Sequence, residues 1–216
     1  MSGLVWKDFY VLRKTFKSYL VILLVYVVLT AAKVFDASLL SGFLALLITM
    51  MPISSFGYDD LARWDRYAAA LPVGRRCIVR SKYVFTLLIA AAALVLGLGL
   101  GAAVAALQLG DSSLGELMTV SIVCIAVGLL LNAVMMPFLF RYGAEKSRAI
   151  MLAVFVVVFG GGMLLLKSVD SSTLASVERL FSTGGMAAVA AVAGAVLLCL
   201  LASYCISCGI YQKKEL

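Results

Sequence analysis

Between Tyr83 and Leu107 the chain runs for 25 residues without a charged side chain, and between Gly184 and Ile210 for 27. At 1.5 Å per residue, about 20 helical residues cross the roughly 30 Å hydrocarbon core of a bilayer. Four more apolar runs bring the expected spans to six: 18–32, 37–55, 83–107, 114–139, 149–166 and 184–210. The first is short, but Lys17, Tyr19, Tyr26 and Lys33 suit its two interfaces. The second has an alternative as half of a re-entrant hairpin. Composition points the same way: 64% of the residues are hydrophobic and 13% charged, where a globular domain has about a quarter charged. The expectation is an all-α polytopic membrane protein forming one domain over 1–216. No segment outside the apolar runs exceeds about 30 residues, so no appended catalytic domain is expected.

Basic residues set the expected orientation, since Lys and Arg flanking short loops stay on the cytoplasmic side. Lys7, Arg13, Lys14 and Lys17 precede the first span. Arg63, Arg66, Arg75, Arg76, Arg80 and Lys82 lie between spans two and three, Arg141, Lys146 and Arg148 between spans four and five, and Lys213 and Lys214 at the C-terminus. Only Lys33, Lys167 and Arg179 fall on the other side. Both termini are thus expected in the cytoplasm, and the net charge of +7 is a topology signal that argues against nucleic acid as a partner. No A-x-A-like cleavage site follows the first apolar run, so it reads as a retained span and not a signal peptide.

The spans carry no acidic or basic residue in their interiors, where a charge costs about 2.5 to 3.5 kcal/mol and is kept only for a task such as a proton relay. Coupled transport by an ion gradient therefore lacks a coupling residue, and a channel lacks a polar lining. Asn132 reads as an interhelical hydrogen bond. Gly97 with Gly101 has the spacing of closely packed helices, and Gly160 to Gly162 could face a partner or substrate. Met50-Met51-Pro52 and Met135-Met136-Pro137 place a kink or stop near one end of spans two and four. Of the five cysteines, Cys205 and Cys208 have CxxC spacing but lie in an apolar run without histidine or a second pair, so they read as packing residues and no metal is expected. No G-x-x-x-x-G-K-[ST] loop is present, so the chain has no phosphate cradle of that kind.

One long polar passage remains, from Tyr58 to Tyr83. Leu61, Trp64, Ala68 and Leu71 recur at spacings of 3, 4 and 3, which predicts a short amphipathic helix over 59–71 with Asp59 and Arg63 paired along it. Leu71-Pro72 should end that helix. A helix lying on lipid carries mainly Lys and Arg on its polar face, whereas this one holds Asp59, Asp60 and Asp65. A mixed-charge surface around Trp64 suits a protein partner instead. Ahead of the first span, Val5, Phe9, Leu12 and Phe16 form an apolar stripe beside Lys7, Arg13, Lys14 and Lys17, predicting an interfacial helix over 4–17.

The passage "DDLARWDRYAAALPVGRRCIVRSKY" resembles the cytoplasmic signature of small ABC-2 type transporter permeases, and "PFLFRYGAEKSR" (137–148) is similar to their second signature. Within that family the chain looks most like the membrane subunit of phenol-soluble-modulin-type peptide exporters. The resemblance implies the permease subunit of an ATP-driven exporter of amphipathic or antimicrobial-type peptides or other hydrophobic compounds. It implies two copies of a cytoplasmic ABC ATPase that hold the ATP and magnesium, and a second permease subunit, identical or related, in a bacterial plasma membrane. It makes 59–71 a coupling helix whose contacts are Asp59, Asp60, Arg63, Trp64, Asp65, Arg66, Tyr67, Leu71, Pro72 and Arg75. A second contact loop holds Arg141, Gly143, Glu145, Lys146 and Arg148. The chain itself is expected to be non-catalytic. An ATPase-independent channel or secondary transporter, and a membrane scaffold or sensor subunit, are the competing readings.

Overall fold

The computed structural model of the chain describes residues 2–64, 67–68, 74–106, 114–156, 160–161 and 185–213. Among them six helices of ten residues or more follow one another: α1 Ser2–Val11, α2 Arg13–Ala31, α3 Ala37–Leu61, α4 Arg75–Ala106, α5 Leu114–Phe155 and α6 Gly185–Gln212. The five from α2 to α6 are long and apolar enough to cross a membrane. The architecture is an all-helical membrane fold, and residues 157–159 and 162–166 of the expected span at 149–166 lie outside the described residues.

The helices outrun the apolar segments that announce them. α3 passes Ser55 and reaches Leu61, α4 begins at Arg75 and not at Tyr83, and α5 continues past Leu139 through Arg141 and Tyr142. An apolar run ends where the chain leaves hydrocarbon, but Lys, Arg and Glu are good helix formers and the backbone ladder continues into the polar zone. The N-terminal elements divide at Leu12 and not after Lys17. There the chain bends without losing its ladder, since Leu12 N–H still donates to Asp8 O at 3.1 Å and Phe16 N–H to Leu12 O at 2.8 Å. The stripe expected to lie on lipid faces the protein's own bundle: Phe9 meets Phe85 edge-on with centroids 5.1 Å apart, and Leu12 is fully buried. Trp6 and Tyr10 face outward.

α3 and α5 pack most extensively against each other, α6 covers α5, and α2 sits at the periphery chiefly against α3. Lipid tails are as apolar as leucine, so helices in a bilayer associate through close packing and interhelical hydrogen bonds. Both appear at the α3–α5 crossing. Gly128 brings the backbones so near that an added Cβ would stand 3.1 Å from Ala45 O. One turn on, Asn132 Nδ2 donates to Ile48 O across the interface at 2.9 Å, the interhelical bond its sequence position suggested. Ser41 and Ser121 hydroxyls meet at 2.9 Å. Gly97 faces Leu44 and Ser121, so it packs within the bundle, while among the described residues nothing lies near Gly99, Gly160 or Gly161. One apolar core joins Leu23, Leu40, Leu44, Ile48, Phe85 and Ile89 across α2, α3 and α4. The other joins Phe56, Val79, Met135, Leu139, Leu200 and Tyr211 across α3 to α6. Outward faces such as Leu20, Val21 and Leu24 of α2 and Leu197, Leu198 and Leu201 of α6 are apolar, as hydrocarbon requires.

The crossing generates a paired expectation. Gly128→Val forces α3 and α5 apart and should cost about 1 to 3 kcal/mol of stability, whereas Gly99→Val meets nothing and should leave it unchanged. Thermal melting of the detergent-solubilised protein measures both, and equal loss in the two variants would contradict the packing.

Candidate functional site

Four ionisable side chains from three helices converge where the second half of α1 meets the end of α3 and the start of α4. Lys82 has three ammonium protons and three acceptors: Asp8 Oδ1 at 2.9 Å, Ser55 Oγ at 2.6 Å and Asp59 Oδ2 at 2.6 Å. Asp59 turns its other oxygen to Lys7 Nζ at 2.6 Å, and Lys7 lies 3.4 Å from Asp8 Oδ1, which closes a ring. Ser55 Oγ also lies 3.1 Å from Asp8 Oδ1. Asp8 and Lys82 are 1% and 4% exposed. Two lysines against two aspartates leave the ring neutral, which is what allows it to be buried.

Trp64 covers this ring. The ammonium of Lys7 stands 4.1 Å from the centre of its indole, and the half-buried side chain packs on the apolar core beneath. A cavity of about 20 Å³ lined by Asp59, Asp60, Trp64, Lys82 and Tyr211 has room for one water. Trp64, expected from the sequence to anchor a partner, is half-buried here and packs in part against its own chain.

Asp59 and Asp60 belong to the last turn of α3, not to a separate helix starting at Asp59. α3 ends because Arg63, with φ at 49°, adopts the left-handed conformation that often closes a helix, while Arg63 N–H bonds Asp60 O at 3.0 Å and Ala62 N–H bonds Tyr58 O at 3.0 Å. That break removes Arg63 from the helical register that would have paired it with Asp59, and Lys7 and Lys82 take its place. It also divides the expected stripe: Leu61 is 79% exposed while Ala68 is buried. Asp65, Arg66, Leu71 and Pro72 lie outside the described residues.

Asp60 has a different partner. Gly143 interrupts α5 with φ 76° and ψ 177°, a backbone region open essentially to glycine alone. The helix restarts at Ala144, whose amide N–H would otherwise be an unpaired end group. Asp60 Oδ2 accepts it at 2.5 Å, so a carboxylate from α3 caps the second half of α5, where negative charge is favoured. A Cβ at Gly143 would stand 2.8 Å from that oxygen. The expected loop around Arg141 and Gly143 is therefore a helix, a one-residue break and a helix, joined to the end of α3.

Around this joint Leu61, Arg63, Tyr67, Tyr142, Glu145 and Lys146 are exposed, and the guanidinium of Arg141 lies 5.2 Å from the centre of the Tyr142 ring. Arg75 ties the start of α4 to the end of α6 through Gln212 O at 2.7 Å. The segments marked by basic residues thus gather at one end of the bundle; the Arg148 side chain lies outside the described residues. Asp8 and Ser55 were not singled out from the sequence. A signal for Asp8 was there: it stands four residues before Leu12, an acid in line with the buried side of a short helix.

Removing Lys82 leaves two carboxylates buried without their shared counter-charge. Lys82→Met should cost about 3 to 5 kcal/mol, and adding Asp8→Leu to it should recover part of that loss. A melting series on the purified protein tests this, and a double variant less stable than Lys82→Met alone would contradict the ring.

Residues 3–212, nearly the whole chain, match the sequence model of a family described as ABC-2 family transporter protein. No curated protein and no solved structure matches the chain. A match of this extent, on a chain whose described residues include five helices able to span a bilayer, places the protein in the ABC-2 family of transporter membrane proteins.

Proposed function

We propose that the chain is the permease subunit of an ATP-driven exporter, and that the joint between Asp60 and Ala144 organises the surface on which its ATPase docks. The observation that carries this reading is that one hydrogen bond unites two segments which the sequence likened separately to permease signatures. Around it Leu61 and Tyr67, 79% and 66% exposed, stand outward beside Arg63, Arg141 and Tyr142. Exposed aromatic and aliphatic side chains rimmed by arginine have the composition of interface anchors. Leu61 and Tyr67 take the anchoring role, while Trp64 holds the end of α3 in place from within. Gly143 and Asp60 shape the surface, and Arg75 braces α4 against α6.

ATP and magnesium belong to two copies of a separate cytoplasmic ATPase, and a second permease, identical or related, completes the translocation path. Family membership supports the ATPase partner in general. Amphipathic peptides or other hydrophobic compounds, moved outward, are the substrate class suggested by the resemblance to peptide exporters. The charged end faces the cytoplasm of a bacterial cell. Support for six crossings comes from parity: Gly143 and Gln212 lie at the same end, and α6, about 42 Å long at 1.5 Å per residue, begins at the other.

Two measurements test the reading. Leu61→Ala and Tyr67→Ala should each weaken retention of the ATPase by about tenfold to thirtyfold in a pull-down from detergent while leaving the melting temperature unchanged. Wild-type retention by the double variant would sink the docking surface. For orientation, a membrane-impermeant maleimide applied to intact cells should label an engineered cysteine at Ser112 and spare Cys77; labelling of Cys77 would reverse the topology.

A further inference from the structure

Met50-Met51-Pro52 in α3 and Met135-Met136-Pro137 in α5 lie inside helices that continue through them. A proline lacks the N–H that would serve the carbonyl four residues earlier. In α3 that carbonyl belongs to Ile48, and in α5 to Ala133. Each receives a side-chain hydrogen bond from the neighbouring helix: Asn132 Nδ2 of α5 donates to Ile48 O at 2.9 Å, and Ser203 Oγ of α6 to Ala133 O at 2.5 Å. The same defect is repaired twice, by different donors on different helices.

Neither donor depends on that one acceptor. Asn132 Nδ2 also bonds Gly128 O of its own helix at 3.0 Å. Ser203 Oγ lies 2.7 Å from the hydroxyl of Tyr83, which lies 2.9 Å from Ser207 Oγ. On releasing the carbonyl beside its proline, Ser203 can turn its proton to Tyr83, and Asn132 keeps its second amide N–H on Gly128 O. Around Pro52, Thr49 bonds Ala45 O at 3.0 Å and Ser54 bonds Met50 O at 2.9 Å, the back-bonding that bends helices. Pro52 lies eight residues before Asp60 and Pro137 six before Gly143, about 12 and 9 Å along their helices. Both soft points therefore lie at similar depth beneath the joint where Asp60 ties the two helices together.

We propose that α3 and α5 hinge at Pro52 and Pro137, and that Asn132 and Ser203 are positioning residues that latch the hinges in the arrangement seen here. On the reading of the chain as an ATPase-driven permease, which this inference deepens, a push at the joint moves both helix ends together. The bend is taken up where the hydrogen bond is a neighbouring side chain's to release.

The latches are tested without any ATPase, by a double-variant cycle on the purified chain. Asn132→Leu should lower the melting temperature by about 4 °C when Pro52 is present and by much less in Pro52→Ala, because the new amide serves Ile48 O. Ser203→Ala should behave in the same way toward Pro137→Ala. Equal losses in both backgrounds would overturn the latches. The hinge is tested on the permease–ATPase complex in liposomes, with the native cysteines replaced by serine and spin labels on Leu46→Cys and Tyr58→Cys, which flank Pro52. Trapping with ATP and vanadate should shift the label distance by several ångströms, a shift lost in Pro52→Ala. A shift that survives Pro52→Ala, or no shift in a complex that hydrolyses ATP, overturns the hinge. Failure of any ATPase to bind would count instead against the permease reading, and the melting cycle would still decide the latches.

Discussion

Lys82 joins three helices because each of its three protons goes to a different side chain: Asp8 of α1, Ser55 and Asp59 of α3, all from a position on α4. Burying such a charge is unfavourable, and an ion pair of this kind does not by itself stabilise a fold relative to apolar packing. What it supplies is register. A slip of any one of the three helices by one turn, 5.4 Å, would break at least two of these contacts and leave buried charges without their partners. Apolar surfaces tolerate sliding, whereas a closed ring of four charges does not.

That distinction matters more in a bilayer than in water, where expulsion of water would itself drive the helices together. Within the span region this chain relies on contacts that require closeness: Gly128 against Ala45 O, Asn132 on Ile48 O, and Ser41 with Ser121. Each involves a small or polar residue whose partner lies more than 75 positions away in sequence. The outer helix α2, with few such contacts, is correspondingly the least buried of the spans.

The same separation explains which features the sequence reveals. The positions of five spans, the shared end of the basic segments and the Asn132 bond were legible, because apolar runs, charge bias and a lone amide in hydrocarbon are local signals. Helix ends were not, since the apolar pattern stops at the membrane boundary while the backbone ladder continues, which carried Asp59 and Asp60 into α3. Arg63 in the left-handed conformation could not be anticipated where glycine is usual, and that one residue undid the predicted Asp59–Arg63 pair. Trp64 was read as outward because its helical stripe was drawn across the break. The ionic ring was hidden for a different reason. Lys82 had a sufficient explanation as a topology signal, and nothing local linked it to Asp8, 74 residues earlier.

Rigid and compliant regions are consequently arranged in series along α3. Its last turn is held by Asp59 in the ring and by Asp60 on Ala144, while the turn around Pro52 has given one backbone hydrogen bond over to Asn132. A load applied beyond Asp60 meets a fixed end first and a yielding segment second. α5 repeats the order in the same chain direction, with Pro137 preceding the fixed point at Gly143. Because Asp60 connects the two fixed ends, neither helix can tilt there without the other. α6 enters the same linkage twice, through Ser203 on Ala133 O and Gln212 on Arg75. Motion at the charged end therefore reaches at least three of the five described spans through specific hydrogen bonds, and α2, the least buried of them, meets the end of α3 through the Thr15 and Tyr58 hydroxyls, 3.3 Å apart.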